Sequence, residues 1–350
     1  MLRTIHQSIK KQVIATIGYG PQGKGQSLNL RDNGYNVILG LRENGKSWKN
    51  AQNDGWIPGK NLFNIDDASK KASVIQYLLS DAAQISQWGV ISKNLNLGDT
   101  LYFSHGLGIV YPKLTGIIPP KHVDVIMVAP KGPGGMVRKA YLEGSGINSS
   151  YAIHQDFSQH SLSNVKELAK GIGSLNIFPT TFEKEVYSDL TGERCVLMGM
   201  IQGAFKAQYD VLRENGHDSE EAFNETVEEA LVSLYPLINE NGMDWMFKNC
   251  SSTAQHGALK WSGRFEEVLK PVIRGCYDSV KSGEEVKEVL ESNSRENYKE
   301  ELDSRLKELE DSEMWQVGRK VRAMRRGNKE IIKDKKVGWH MGGRIVEIRR

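Results

Sequence analysis

Two carboxylates stand one helical turn apart in Ser188-Asp189-Leu190-Thr191-Gly192-Glu193-Arg194. On a wheel at about 100° per residue, Asp189 and Glu193 project within roughly 60–80° of Val186, Leu190, Leu197 and Met200. That puts both on the apolar side of their own helix, where two buried negative charges need a cation. Two carboxylates at this spacing are a natural oxygen site for Mg²⁺. The plain alternative is a solvated helix face, and the wheel speaks against it. A second such pair, Glu225 and Glu229, reads the other way. Phe223, Val227, Ala230, Leu234 and Ile238 lie largely opposite, so this pair forms an exposed acidic face unless its helix meets another chain or domain. The hydroxyl-rich run Cys250-Ser251-Ser252-Thr253-Ala254 suits a ligand, and equally a helix N-cap.

A glycine loop supplies a second kind of chemistry. Ile17-Gly18-Tyr19-Gly20-Pro21-Gln22-Gly23 is G-x-G-x-x-G between a β-prone run and a helix-like stretch. Gly18, Gly20 and Gly23 answer in turn to a tight turn, close approach of a pyrophosphate and close helix–sheet contact, with the anion on the helix N-terminus. A turn that only satisfies packing is the alternative. After the second apolar run, Arg42, Lys46 and Ser47 offer cations and a hydroxyl suited to a 2′-phosphate, which favours NADP. Glu43, among them, could instead bind a ribose, as an NAD site would ask. Three further polar groups occur where apolar runs stop: Ser80-Asp81, Ser104-His105-Gly106 and Pro130-Lys131-Gly132. In open α/β sheets ligands bind outside the carboxyl ends of the strands, so His105 and Lys131 are placed to touch a substrate or a nicotinamide. A structural histidine is the bland reading of His105.

These residues need a frame to hold them. Runs at Val13–Ile17, Tyr35–Leu41, Val74–Leu79, Leu101–Phe103 and Val123–Ala129 alternate with helix-like segments, which predicts a Rossmann-like parallel sheet with helices on both faces over residues 1–181. From Phe182 the pattern turns helical. Stretches at Lys184–Asn215, Ser219–Asn239 and Glu301–Arg326 predict an all-helical domain over 182–328. Residues 329–350 show no period and read as a basic tail, expected to be disordered. In that tail seven Lys/Arg oppose three Asp/Glu. With 46 basic and 43 acidic residues overall, the rest of the chain is close to neutral, which gives little support for nucleic-acid binding. Hydrophobic residues at 39% and charged residues at 25% describe a globular protein rather than a disordered one, and no apolar run approaches the roughly 18 residues of a membrane span. Cys195, Cys250 and Cys276 share no close spacing, which excludes a zinc knuckle or a CxxC pair and suits a reducing compartment. The N-terminus has no signal-peptide core, so a cytoplasmic location is expected.

The strings GYGPQGKGQSLNLRDNGYNV, LLSDAAQ, YFSHGLG, VAPKGPGG, SDLTGER, QYDVLRENGH, AFNETVEEA and NGMDWM with CSSTAQHGALKW resemble the ketol-acid reductoisomerase (acetohydroxy-acid isomeroreductase) family. The resemblance runs from about Val13 to Arg326, and the later strings look most like the fungal and Bacteroidetes branch. It implies an NADPH- and Mg²⁺-dependent enzyme of valine, isoleucine and leucine synthesis. Such an enzyme converts 2-acetolactate to 2,3-dihydroxy-3-methylbutanoate, and 2-aceto-2-hydroxybutanoate to its ethyl homologue. It also implies a knotted helical domain and a homo-oligomer, at least a dimer, whose site is shared between subunits. Carried onto this sequence, the family pattern assigns Tyr19, Gly20, Pro21, Gln22, Arg42, Ser47, Ser80, Asp81, Ala82, Ala83 and Gly134 to the cofactor. It assigns Asp189, Glu193, Glu225 and Glu229 to two Mg²⁺ ions, Ser251 to substrate, and His105 to the active site. In the family the Glu225/Glu229 helix and Ser251 complete the partner subunit's site. Lys131 is the expected proton carrier, together with a metal-bound water or a carboxylate. Pro21 stands where many members have Ser, which puts one phosphate contact in doubt. The rival is a plain NADP-dependent hydroxyacid dehydrogenase, which would need no metal and leave Asp189 and Glu193 structural.

Overall fold

The computed structural model describes residues 8–333, with side chains to 325. Eight strands form one sheet: β1 (Val13–Ile17), β2 (Asn36–Gly40), β3 (Leu62–Phe63), β4 (Val74–Tyr77), β5 (Thr100–Phe103), β6 (Asp124–Pro130), β7 (Ile147–Gln155) and β8 (Ser174–Pro179). Their order is β3-β2-β1-β4-β5-β6-β7-β8. The first six strands are parallel. β7 pairs antiparallel with β6, and β8 runs parallel to β7, so the sheet is mixed rather than all-parallel. Along each central strand, successive side chains go to opposite faces and both faces are buried, which is why these strands read as continuous apolar runs. Ile14, Leu39, Val74, Tyr102 and Ile126 pack on one face with Leu28, Leu30 and Leu168. Ile17, Ile75, Leu101, Phe103 and Met127 pack on the other with Ala68, Ile91 and Phe182.

Order reverses beside β1, whose two neighbours are β2 and β4. The crevice at that switch point is where an open α/β sheet takes a ligand, and the glycine loop leaves β1 there.

Contacts divide the chain later than the change of sequence pattern at 181. One unit runs to Thr191 and takes back Tyr277–Leu290; the other holds Gly192–Cys276 and resumes at Glu291. The helix Phe182–Arg194 begins on the sheet, because Phe182 stacks edge-on against Phe103 with centroids 6.1 Å apart and Val186 is fully buried. The returning segment is held by the Tyr111 hydroxyl, which donates to the Val280 carbonyl at 2.6 Å.

The second unit, described by itself, is helical. Its core gathers Phe205, Tyr209, Phe223, Val227, Met314 and Val317. Of three expected helices, two are broken and one is widened. Lys184–Asn215 divides into Phe182–Arg194 and Gly199–Glu214 around a turn at 195–198. Gly199 makes that turn possible, since a Cβ there would run into the Arg194 carbonyl. Ser219–Asn239 is continuous but widens into π-helix at Asn224–Glu228 and Ala230–Leu234 ahead of Pro236, which has no N–H to give to the ladder. Glu301–Arg326 parts at Ser312, whose ψ of 143° is extended, into Tyr298–Asp311 and Glu313–Lys333. Residues 329–333 therefore continue a helix; the rest of the expected tail lies outside the described residues. No helix among the described residues is long and apolar enough to cross a membrane.

Candidate active site

The carboxyl ends of β1, β2, β4, β5 and β6 carry the expected cofactor and proton-handling residues of the first unit. The loop after β1 opens the helix Pro21–Asp32, with Gly20 as its N-cap and Pro21 in its first turn. Gly18 has φ +105°, and a Cβ on it would lie 2.6 Å from the Leu78 carbonyl oxygen. Gly23 lies against the Gly18 carbonyl, closer than any Cβ tolerates, whereas Gly20 faces open space. The loop is thus packed tightly behind and left bare where an anion would approach, beside first-turn N–H groups that have no helical partner. Pro21 costs little here: its missing N–H is one of those orphan donors in any case, and its φ suits the first turn. Tyr19 is clasped from the far side. Its hydroxyl donates to Asp54 Oδ2 at 2.9 Å and accepts from Trp56 Nε1 at 3.0 Å. Lys24 pairs with the same Asp54 at 2.8 Å.

After β2, Gly45 caps the helix Lys46–Asn53, which brings Lys46 and Ser47 into its first turn next to exposed Arg42 and Glu43. After β4, Ser80 caps the helix Asp81–Asn94, whose first residues are Asp81, Ala82 and Ala83. After β6, Gly134 opens the helix Gly134–Leu142. Its Cα lies so close to the Pro21–Gln22 backbone that no side chain fits.

His105 follows β5 and Lys131 follows β6, and the structure brings both to the helix Phe182–Arg194. His105 Nδ1 stands 3.2 Å from Asp189 Oδ2 and 3.3 Å from Glu185 Oε2; Lys131 Nζ stands 3.3 Å from Glu185 Oε1. Gly106 allows this approach, because a Cβ there would meet Phe182 at 2.8 Å and Val186 at 3.2 Å, one turn below Glu185 and Asp189. Burial by itself would push His105 down; the Asp189 and Glu185 carboxylates outweigh it and hold the ring at about 10. Burial raises Asp81, which the charge on His105 partly offsets.

Both ring nitrogens of His105 and Glu185 Oε2 are buried without a hydrogen bond of good geometry. Candidate ligand atoms of His105, Glu185 and Asp189 all lie within 4.8 Å of one another. One buried carboxylate oxygen without a hydrogen bond, beside a second carboxylate, suits a divalent cation. Glu185 and Asp189 therefore fit a divalent cation, whereas His105, held as an imidazolium, has no lone pair to give one.

Glu185 is the residue that sequence reasoning missed. It is 2% exposed, whereas Asp189 is about a third exposed at 35% and Glu193 half exposed at 52%. The expectation that Asp189 and Glu193 are both buried is thus corrected: the helix turns its Glu185 edge to the sheet, and its C-terminal end is more open. The missed signal was another i, i+4 pair, Glu185 with Asp189, on the Val186 side. Glu193, next to Arg194 with a 3.9 Å pairing, belongs to the second unit, as do Glu225, Glu229 and Ser251. Glu225 and Glu229 are exposed on the π-helical stretch while Phe223 and Val227 face the core, as the wheel indicates. Ser251 caps the helix Ser252–Ser282, its hydroxyl accepting from the Ala254 N–H at 3.2 Å.

Comparison with known proteins covers nearly the whole chain. Residues 8–177 match the family described as acetohydroxy acid isomeroreductase, NADPH-binding domain, and residues 182–327 match ketol-acid reductoisomerase, C-terminal domain. The chain is 53% identical to a ketol-acid reductoisomerase (NAD(+)) of Desulfosudis oleivorans over 94% of each chain. It is 54% identical to a mitochondrial ketol-acid reductoisomerase of Saccharomyces cerevisiae, over 91% of this chain and 81% of that one. Among solved structures, an NADH-preferring ketol-acid reductoisomerase from an uncultured archean superposes with a TM-score of 0.79 at 32% identity, covering 89% of this chain and 94% of that one.

Proposed function

Since the chain belongs to the ketol-acid reductoisomerase family, we propose that it converts 2-acetolactate and 2-aceto-2-hydroxybutanoate to their 2,3-dihydroxy-3-alkyl acids, with Mg²⁺ and NADPH. The observation that carries this reading is the His105–Glu185–Asp189–Lys131 cluster at the sheet's ligand-binding edge. A dehydrogenase needs a proton carrier at that place, but not a second, half-open carboxylate beside a buried one.

The reaction is two steps at adjacent carbons. An alkyl group moves from C2 to the C3 carbonyl carbon, so the C2 hydroxyl loses its proton and the C3 oxygen gains one. The resulting 2-keto acid then takes a hydride at C2 and a proton on its oxygen. Reduced nicotinamide would supply the hydride, and Asp189, Glu193, Glu225 and Glu229 would in the assembled enzyme hold two Mg²⁺ ions, whose Lewis acidity would polarise the ketone. The chain's own groups handle protons and position. Glu185, nine-tenths or more buried, holds the Lys131 ammonium at 3.3 Å, and the pair passes a proton to and from substrate oxygen. His105 orients rather than transfers, because its Nδ1 faces the Asp189 and Glu185 carboxylates and its Nε2 is buried. Ser251 binds substrate.

Three finer points belong to the same reading. NADPH is preferred, because Arg42, Lys46 and Ser47 offer cations and a hydroxyl suited to a 2′-phosphate; the names of the Desulfosudis and archaeal relatives carry NAD(+) and NADH, and Glu43 is the residue of this loop that suits those cofactors. The enzyme is a homo-oligomer, at least a dimer, in which Glu225, Glu229 and Ser251 complete the partner's site. Leu259, Phe265, Val268 and Val272 support this, each more than half exposed on one helix, an apolar area that a lone chain would leave in water. The location is cytoplasmic, consistent with three free cysteines, though the yeast relative is named mitochondrial.

Cofactor oxidation is the test, with 2-acetolactate and separately with the migrated 2-keto acid, each with and without Mg²⁺. Turnover of 2-acetolactate only with Mg²⁺, and a higher kcat/KM for NADPH than for NADH, is the expected result. Reduction of the keto acid alone, indifferent to metal, would make the protein a plain dehydrogenase.

A further inference from the structure

Between the helix Pro21–Asp32 and the sheet, an otherwise apolar layer carries a run of buried polar side chains. Thr16, Gln76 and Tyr102 are register neighbours on β1, β4 and β5, and all three are fully buried, as is Gln26 on the helix above them. Thr16 Oγ1 donates to Gln76 Oε1 at 2.6 Å. The Tyr102 hydroxyl donates to Gln26 Oε1 at 2.8 Å. Gln26 Nε2 donates to Ser104 Oγ at 2.7 Å and to Gln22 Oε1 at 3.0 Å, and Gln22 Nε2 donates to the Gly132 carbonyl at 3.0 Å.

The two ends of this chain of bonds are informative. Ser104 immediately precedes His105, and Gly132 immediately follows Lys131. Gln22 lies in the glycine loop itself. One buried amide, Gln26, with both donors and its acceptor engaged, thus joins the cofactor loop to the two loops that carry the site's nitrogen groups. A leucine at position 26 would pack this layer at less cost, since a buried amide only repays its desolvation when fully bonded. What the amide adds over leucine is fixed spacing.

We propose that Gln26 is a positioning residue: through Ser104 and Gln22 it sets the distance between the cofactor's phosphate loop and the His105 and Lys131 loops, and so the alignment of hydride donor and substrate. This rests on the reductoisomerase reading only for the identity of the substrate. Gln26→Met keeps length and burial and removes the three bonds. Misplacement of reacting groups by a fraction of an ångström is expected to lower kcat for reduction of the migrated 2-keto acid about tenfold, with KM values within about threefold. The isotope effect on kcat, measured with cofactor deuterated at the transferred position, should rise as hydride transfer becomes more limiting. Ser104→Ala and Tyr102→Phe each break one bond to Gln26 and should move both readouts the same way by less; they decide the matter if Gln26→Met does not fold. A filler role would lower only the melting temperature or the fraction of active protein. Unchanged kcat per active site and an unchanged isotope effect across the folded variants would overturn the proposal. Because the keto acid is the substrate, a wild type that reduces it yet ignores 2-acetolactate refutes the reductoisomerase reading and still tests Gln26.

Discussion

Replacing Asp189 with Asn is expected to lower turnover of 2-acetolactate by about a thousandfold, equivalent to about 4 kcal/mol of lost transition-state stabilisation. The substitution keeps the shape of the side chain and removes its charge. Divalent cations of the Mg²⁺ type are held by anionic oxygen, and an amide oxygen in that place is a far weaker ligand. The folded state should lose little. The Asp189 side chain is 35% exposed, so an amide there is solvated, and Glu185 still faces His105 Nδ1 at 3.3 Å once the Asp189 charge is gone. Affinity for the nicotinamide cofactor should be unchanged, because the glycine loop and the β2 loop are separate from this helix. The measurement is kcat over a Mg²⁺ titration, with cofactor binding followed by fluorescence. A loss of less than tenfold at saturating Mg²⁺ would remove Asp189 from the metal set and favour the purely structural role that a dehydrogenase would give it.

The residues that were legible in the sequence are those whose local chemistry is decided within a few positions. The glycine loop is one: the strand before it, the helix after it and the φ of Gly18 all follow from the local pattern. The central strands are another, because burial on both faces makes each an unbroken apolar run. β8 was not legible, since Ser174–Pro179 is an edge strand with mostly exposed side chains, and in β7 the polar Asn148, Ser149 and Ser150 interrupt any apolar run. Its two serines are buried by pairing on both sides, which is tertiary information. The helix wheel misjudged Glu193 for a related reason. It weighs every apolar neighbour alike, but Leu197 lies in the turn at 195–198, past the end of the helix, and is 68% exposed, so it is no part of a common buried stripe. Without Leu197 the stripe shifts toward Phe182 and Val186, and Glu185 moves onto its edge. The return of Tyr277–Leu290 to the first unit rests on the burial of Val280 and Val286 and on the Tyr111 hydroxyl, which no periodicity reports.

Glu185 is where that shortfall has the largest consequence. Glu185→Gln is expected to lower kcat for 2-acetolactate about a hundredfold, the usual worth of one positioned proton carrier. Two effects add. The amide can no longer accept a proton from the substrate side, and the Lys131 ammonium loses the carboxylate that holds it at 3.3 Å. Glu185→Gln also leaves Lys131 unpaired, but that side chain is 33% exposed and can turn to water, so the protein should stay folded. Lys131→Met is the harsher change for stability, because it strips a cation from a carboxylate that is 2% exposed. The decisive comparison is therefore the double variant. If Glu185 and Lys131 carry the proton as a unit, Glu185→Gln with Lys131→Met should be no slower than the slower single variant, since the first substitution already breaks the relay. Multiplicative losses would mean that the two act on different steps. Lys131 would then serve the oxygen that is reduced, and Glu185 would act through His105 and Asp189 on the migration.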